Sequence, residues 1–162
     1  MYIKQLEIDN FKSFANKVDI PLLKGFTTIS GPNGSGKSNI IDSILFALGL
    51  STNRTLRAEK LFHLISTYNK RNEAFVKVTF GETEDGDFSV ARRIRKTSQG
   101  FNSIYYLDDK ITTLSDIHAK LEKFNITPTS YNVMMQGDVM SITNCTPNER
   151  RKIIDEIAGI AD

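Results

Sequence analysis

The chain reads as an α/β lobe carrying an antiparallel β-subdomain, and three features say so. A short β-prone run, Phe26 to Ile29, leads into a glycine-rich loop at Gly31-Pro32-Asn33-Gly34-Ser35-Gly36-Lys37-Ser38. Apolar residues then recur at helical spacing: Ile40, Ile41, Ile44, Leu45, Ala47 and Leu48. Further on, residues 76 to 107 hold three runs of alternating or β-branched residues separated by turn signals, which read as a meander.

The loop fits G-x-x-x-x-G-K-S without a mismatch, the P-loop pattern. Glycines at 34 and 36 let the backbone curl and aim its N–H groups at a phosphate. The helix that follows adds unpaired N–H groups and a positive dipole end, both favouring an anion. Lys37 has the reach for β- and γ-phosphates, and the Ser38 hydroxyl is a ligand for Mg²⁺. A glycine-rich turn before an ordinary helix is the plainer alternative. The order strand, loop, helix weighs against it, and Gly49 stands where a helix-ending glycine belongs.

Taken in order, Ile3 to Asp9 alternates Leu6 and Ile8 with charged residues, the pattern of a half-buried strand. Asn10-Phe11-Lys12-Ser13-Phe14 interrupts it. Val18, Ile20 and Leu22 alternate next, so the first two strands are expected to pair antiparallel. By position alone Lys12 reads as a solvated loop lysine. Ser51 to Arg57 is polar and loop-like, Ala58 to Ile65 reads as a short helix, and by position alone Arg57 and Lys60 read as solvent-exposed. In the meander Val76, Val78 and Phe80 alternate, as do Phe88, Val90, Arg92 and Ile94; Ser103 to Leu107 follows. Asp85-Gly86 and Gln99-Gly100 supply the turns, and Lys77, Arg93, Arg95 and Lys96 read as the solvated face.

Ile104 to Asp109 imitates a Walker B strand, apolar and ending in acid, but a hairpin end explains it fully. Thr113 to Asn125 carries Leu114, Ile117, Leu121 and Phe124 on one face, with a Thr113…Asp116 capping box and Pro128 beyond. Lys120 and Lys123 fall on its polar face, and His118 reads as a lone surface histidine. Met134, Met135 and Met140 read as core packing. Thr146-Pro147-Asn148-Glu149 starts a last helix, with an apolar stripe at Ile153, Ile154, Ile157 and Ile160.

Composition sets bounds. The 162 residues are 40% hydrophobic and 25% charged, an ordinary globular balance that suits one domain or one large lobe. A net charge of +2 does not by itself argue for nucleic acid. The single cysteine, Cys145, excludes an internal disulfide framework and suits a reducing cytosol. No apolar run is long enough for a membrane span, and the N-terminus goes straight into a strand pattern without a signal peptide. Neither a Cys/His cluster nor a Ser-His-Asp arrangement is present to argue for zinc or nucleophilic catalysis.

With those residues in view, the chain resembles the N-terminal half of the ATPase head of an SMC (structural maintenance of chromosomes) protein of bacterial or archaeal type, in the ABC ATPase class. The resemblance spans essentially the whole chain. Its markers are Asn10-Phe11-Lys12-Ser13-Phe14, the loop through Asn39, Leu56-Arg57-Ala58, Gln136-Gly137-Asp138, Glu149-Arg150-Arg151 and the closing Ile154-Asp155-Glu156-Ile157-Ala158-Gly159-Ile160-Ala161. It implies a P-loop ABC-type lobe that is incomplete without a C-terminal segment, since neither a Leu-Ser-Gly-Gly signature nor an acceptable Walker B strand is present. Residues 1–152 would form the lobe and 153–162 the start of a coiled-coil neck helix.

The resemblance also implies roles. Lys12 and Ser13 would approach an ATP from beside the loop, and Pro32, Asn33, Gly34, Ser35, Gly36, Lys37, Ser38 and Asn39 would cradle it. Lys37, Gln136 and Arg57 would serve the chemistry, Arg57 as an arginine finger in cis. Ser38 and Gln136 would serve Mg²⁺. Lys60, Lys120 and Lys123 are the candidates for DNA contact. The implied partners are the C-terminal half of the same head, a second head in a homodimer, a kleisin subunit and DNA, with no membrane and a cytoplasmic, nucleoid-associated location. The implied output is chromosome condensation and segregation by DNA entrapment. Two other readings share the motif: a repair or recombination ABC ATPase, and a nucleotide-gated structural clamp with little turnover.

Overall fold

A computed structural model describes residues 1–50, 61–84, 86–127 and 146–157. Among them a six-stranded sheet carries the fold, in the order β2-β1-β3-β4-β5-β6 with every neighbouring pair antiparallel. The strands are β1 (Tyr2–Asp9), β2 (Val18–Pro21), β3 (Glu73–Gly81), β4 (Phe88–Thr97), β5 (Gly100–Leu107) and β6 (Lys110–Thr112). Helix α1 (Lys37–Leu48) lies against β3 and β4, α2 (Leu114–Glu122) follows β6, and α3 (Pro147–Ile157) comes last. The antiparallel pairing of β1 with β2 and the β3-to-β6 meander agree with the alternation in the sequence.

Register explains the core. Leu6 faces Val78, which faces Val90, which faces Leu107, so one row of alternate residues crosses four strands on one side of the sheet. Leu6, Ile8, Val76, Val78, Phe80, Val90 and Ile94 are all buried there. Helix α1 lays Leu45, Phe46 and Leu48 into that face, and α2 adds Ile117 and Leu121. Such burial supplies roughly 1.5–3 kcal/mol for each large side chain. On the opposite face the charged residues pair up: Lys77 Nζ meets Asp109 at 2.7 Å and Arg95 meets Glu73 at 2.8 Å.

The acidic end of β5 is a hairpin. Asp108 and Asp109 both take positive φ, 48° and 63°, and lead directly into β6. Asp108 Oδ1 accepts from the Ser89 N–H at 2.8 Å, tying the turn to β4. The Walker B likeness is therefore a turn, as expected from its sequence context.

One expected strand does not form. Phe26 to Ile29 is irregular, and Phe26 is 94% exposed. A strand needs a neighbour for its N–H and C=O groups, and no strand among the described residues lies beside this one. Of the short helix expected over Ala58 to Ile65, the described part is a single 3₁₀ turn, Leu61–Leu64. Met134, Met135, Met140 and Cys145 lie outside the described residues.

Candidate functional site

The site is built where α1 begins. Gly36 precedes the helix at φ 92°, a left-handed conformation that favours glycine. A Cβ there would also come within 2.9 Å of Ser13 Oγ. No side chain caps the helix, and its first turn contains no acidic residue. The helix start thus keeps its positive dipole end uncompensated, which suits an anion. The Asn39 N–H donates to the Gly36 carbonyl at 2.9 Å, closing the first turn.

Lys37 lies over this loop. Its Nζ donates to the Gly31 carbonyl at 2.7 Å and the Pro32 carbonyl at 2.8 Å. Neutral carbonyls orient the ammonium without cancelling its charge. The Ser38 hydroxyl is on the exposed side of the same turn. Together they form a cationic, donor-rich rim around the loop, the chemistry a polyphosphate with Mg²⁺ requires. Among the described residues no group of three or more His, Cys, Asp or Glu side chains is placed to hold a metal ion.

The segment between β1 and β2 closes the other side. Phe11 is fully buried, its ring 5.1 Å from that of Phe46 on α1. Asn10 Nδ2 donates to the Glu73 carbonyl at 2.6 Å, and the Ser66 N–H donates back to the Asn10 carbonyl at 2.9 Å. So anchored, the next two residues meet α1. Asn39 Nδ2 donates to Ser13 Oγ at 2.8 Å, and Lys12 Nζ pairs with Asp42 Oδ2 at 2.5 Å. Ser13 thus meets Asn39 and Lys12 meets Asp42, both on α1. Lys12, however, is no solvated lysine: its side chain is 13% exposed and its partner Asp42 is fully buried.

The far end of α1 is held as firmly. Gly49 ends the helix at φ 66°, and its N–H donates back to the Phe46 carbonyl at 3.2 Å. A Cβ on Gly49 would collide with the Leu114 side chain of α2. His118 Nε2 lies 3.3 Å from the Gly49 carbonyl, half-buried rather than on the surface. Arg92 reaches the same end from β4. Its guanidinium stacks between the rings of Phe46 and Tyr105, 4.6 and 4.7 Å from their centroids. Its Nε donates to Ser103 Oγ at 2.9 Å. Burial pushes this guanidinium below its ordinary pKa and pushes the Tyr105 phenol up; mutual Coulomb interaction opposes each shift.

Sequence reading passed over Asp42, although a carboxylate inside the apolar run Ile40 to Leu48 was a signal. It did place Arg92 in the inward row with Val90 and Ile94. Lys120 corrects an expectation: its Nζ leaves the polar face of α2 and lies 5.1 Å from the Phe88 ring centroid and 5.9 Å from that of Phe124. A cation gains there from the ring quadrupoles while its stem covers apolar surface. Lys123, just past the helix, is exposed. Arg57, Lys60 and Gln136 lie outside the described residues.

The chain is similar to known proteins over essentially its whole length. The family model for the RecF/RecN/SMC N terminal domain matches residues 2–138. A chromosome partition protein Smc of Gloeobacter violaceus is 50% identical over 165 aligned positions, covering 100% of this chain and 14% of that protein. A solved structure of an SMC head bound to the C-winged helix domain of ScpA superposes with a TM-score of 0.89 at 39% identity, covering 99% of this chain and 52% of that one. Another, from work on ATP-driven dimerization and DNA-stimulated activation of SMC ATPases, has a TM-score of 0.83 at 36% identity and covers 97% of this chain and 99% of that one.

Proposed function

The chain belongs to the RecF/RecN/SMC N-terminal domain family, and on that premise we propose that it is the ATP-binding half of an SMC head. The carrying observation is the start of α1, where a left-handed Gly36, Lys37 and an exposed Ser38 ring an uncapped helix end. On this reading Pro32 to Asn39 hold the phosphates. Lys37 exchanges its two carbonyl partners for β- and γ-phosphate oxygens. Ser38, with Gln136, ligates Mg²⁺, which neutralises the charge that develops on the phosphates. Arg57 comes to the phosphates in cis, and Lys60, Lys120 and Lys123 are the candidates for DNA.

The site is half of one. The chain spans 14% of the length of the Gloeobacter relative, and it carries neither a signature motif nor a Walker B strand. Two nucleotide-loaded heads would therefore face each other, each supplying what the other lacks, and turnover would part them. The described relatives support this reading: one is an SMC ATPase studied for ATP-driven dimerization, another an SMC head bound to ScpA. A kleisin partner, chromosome partition and a nucleoid-associated, cytoplasmic setting are proposed by the same extension. Residues 1–152 would be the lobe and 153–162 the neck. The neck would continue α3, which runs without a break from Pro147 to Ile157 and exposes Ile154.

The test is ATP binding by this chain, followed by turnover once the C-terminal head segment is supplied. We expect saturable Mg-ATP binding that Lys37→Ala abolishes, no turnover by the chain alone, and turnover on adding the segment. Binding that survives Lys37→Ala, or an assembled head without turnover, would overturn the assignment.

A further inference from the structure

Two consecutive residues clip the segment between β1 and β2 to the phosphate-loop helix, at points one turn apart. Ser13 accepts from Asn39, and Lys12 pairs with Asp42. Positions 39 and 42 stand three apart, on one face of α1. Lys12 takes φ 49°, an uncommon conformation for a lysine, and its N–H donates to the Leu64 carbonyl at 2.8 Å. The turn at Lys12 is thus fixed from both the backbone and the side chain.

This geometry bears on what Lys12 does. A lysine kept for a phosphate would wait in solvent or beside an exposed counter-ion. Here the ammonium points into the interior, onto a carboxylate with no exposed surface. Drawing it off would take the cation from a buried anion, among the costlier changes a folded chain can undergo. Ser13, next in sequence, does meet the loop: it bonds Asn39, and its Oγ lies 2.9 Å from where a Cβ on Gly36 would stand, a position whose φ of 92° already favours glycine.

We propose that Asp42 is a positioning residue: it holds Lys12 in its left-handed turn so that Ser13 seats against Gly36 and Asn39, and Lys12 acts on the phosphate loop through this clip rather than by touching the nucleotide. The consequence for nucleotide rests on the ATP-binding reading above. The clip itself does not, and the experiment separates the two.

Lys12→Met, Asp42→Leu and the double variant are compared in the full chain by two measurements. The first is amide hydrogen exchange without nucleotide at residues 12–14 and 36–39. The second is the dissociation constant for Mg-ATP by NMR titration. Each single variant is expected to speed exchange at Asn39 and weaken ATP binding about tenfold, and the double variant, with an apolar pair in place of the ions, to recover most of both losses. Asp42→Asn keeps the shape and an acceptor oxygen, so it should fold and show a smaller loss of the same sign. The proposal is overturned if Asp42→Asn tightens ATP binding, or if K12M costs the same affinity with and without D42L. Either result would mean that the ammonium works on the phosphates directly. If the unaltered chain binds no ATP, the nucleotide reading fails, and the exchange measurement alone decides the clip: no recovery of protection in the double variant sinks it.

Discussion

Arg92 takes a place in β4 that alternation reserves for apolar residues, and the protein fills it with a cation stacked between Phe46 and Tyr105. Two ring faces, the Ser103 hydroxyl and the Phe46 carbonyl replace the water this guanidinium gives up. The carbonyl belongs to the last turn of α1, the negative end of the helix dipole, which favours a cation. Truncation by Arg92→Ala should destabilise the chain by about 3 kcal/mol through the cavity and the lost contacts. Arg92→Met keeps the volume and should cost about 1 kcal/mol. Urea unfolding monitored by circular dichroism measures both. Equal losses would show that charge rather than packing dominates. Asp42 is another buried charge, and α1 is held at both ends: by Lys12 and Asp42 near the glycine-rich loop, by Arg92 at the far turn.

At the level of single elements, α2 shows how local chemistry places a boundary. Thr113 accepts from the Asp116 N–H at 3.2 Å, and Asp116 Oδ2 accepts from the Thr113 N–H, also at 3.2 Å. The Thr113 hydroxyl, the Thr113 N–H and the Thr112 hydroxyl, in that order, hold the Asp116 carboxyl below the ordinary carboxylate range. A depressed pKa in the folded state means that the unfolded chain takes up the proton more readily. The stabilisation is therefore complete above about pH 4 and fades as pH falls through the folded pKa. Asp116→Asn should lower the melting temperature at pH 7, and the gap to the unaltered chain should close in stronger acid. Thr113→Ala should cost about 1 kcal/mol at neutral pH. This helix was legible in the sequence because its signals are local: a cap, a spacing of three and four, a proline beyond. So was α1, from its glycines and its apolar spacing. What the sequence did not disclose depends on groups distant along the chain. Phe26 to Ile29 has strand propensity but no neighbouring strand among the described residues. Lys120 sits at a polar position of α2, yet the stacked rings of Phe88 and Phe124 draw it in. Asp42 looks like one polar residue in a helix until Lys12, thirty positions earlier, is seen against it.

For the molecule as a whole, the apolar side chains left outside are informative. Leu23 is 81% exposed and Phe26 94%, with Ile29 and Ile41 also exposed. They lie along the approach to the phosphate loop and on α1, where an ABC-type head would be completed. Covering Phe26 alone would be worth about 2–3 kcal/mol. Adding the C-terminal head segment of the Gloeobacter relative should slow amide exchange at residues 26–29, which would then have a strand to pair with. Phe26→Ser should reduce self-association of the isolated chain in sedimentation. If the segment binds while exchange at 26–29 stays fast, this face is not where the head is completed.

The strand order carries a consequence in time. β1 is flanked by β2 on one side and β3 on the other, and its register sets Tyr2 opposite Gly81. As the chain leaves the ribosome, β1 emerges before the other five strands of this sheet. It finds one edge partner soon, in β2, and must wait for the whole phosphate loop, α1 and the segment beyond before its other edge is closed. Among β3 to β6 every pairing joins consecutive strands, so those contacts form across short loops, which is the fast kind. The glycine-rich loop at 31–38 is thus synthesised in the interval when β1 still has a bare edge, before β3 arrives to close it.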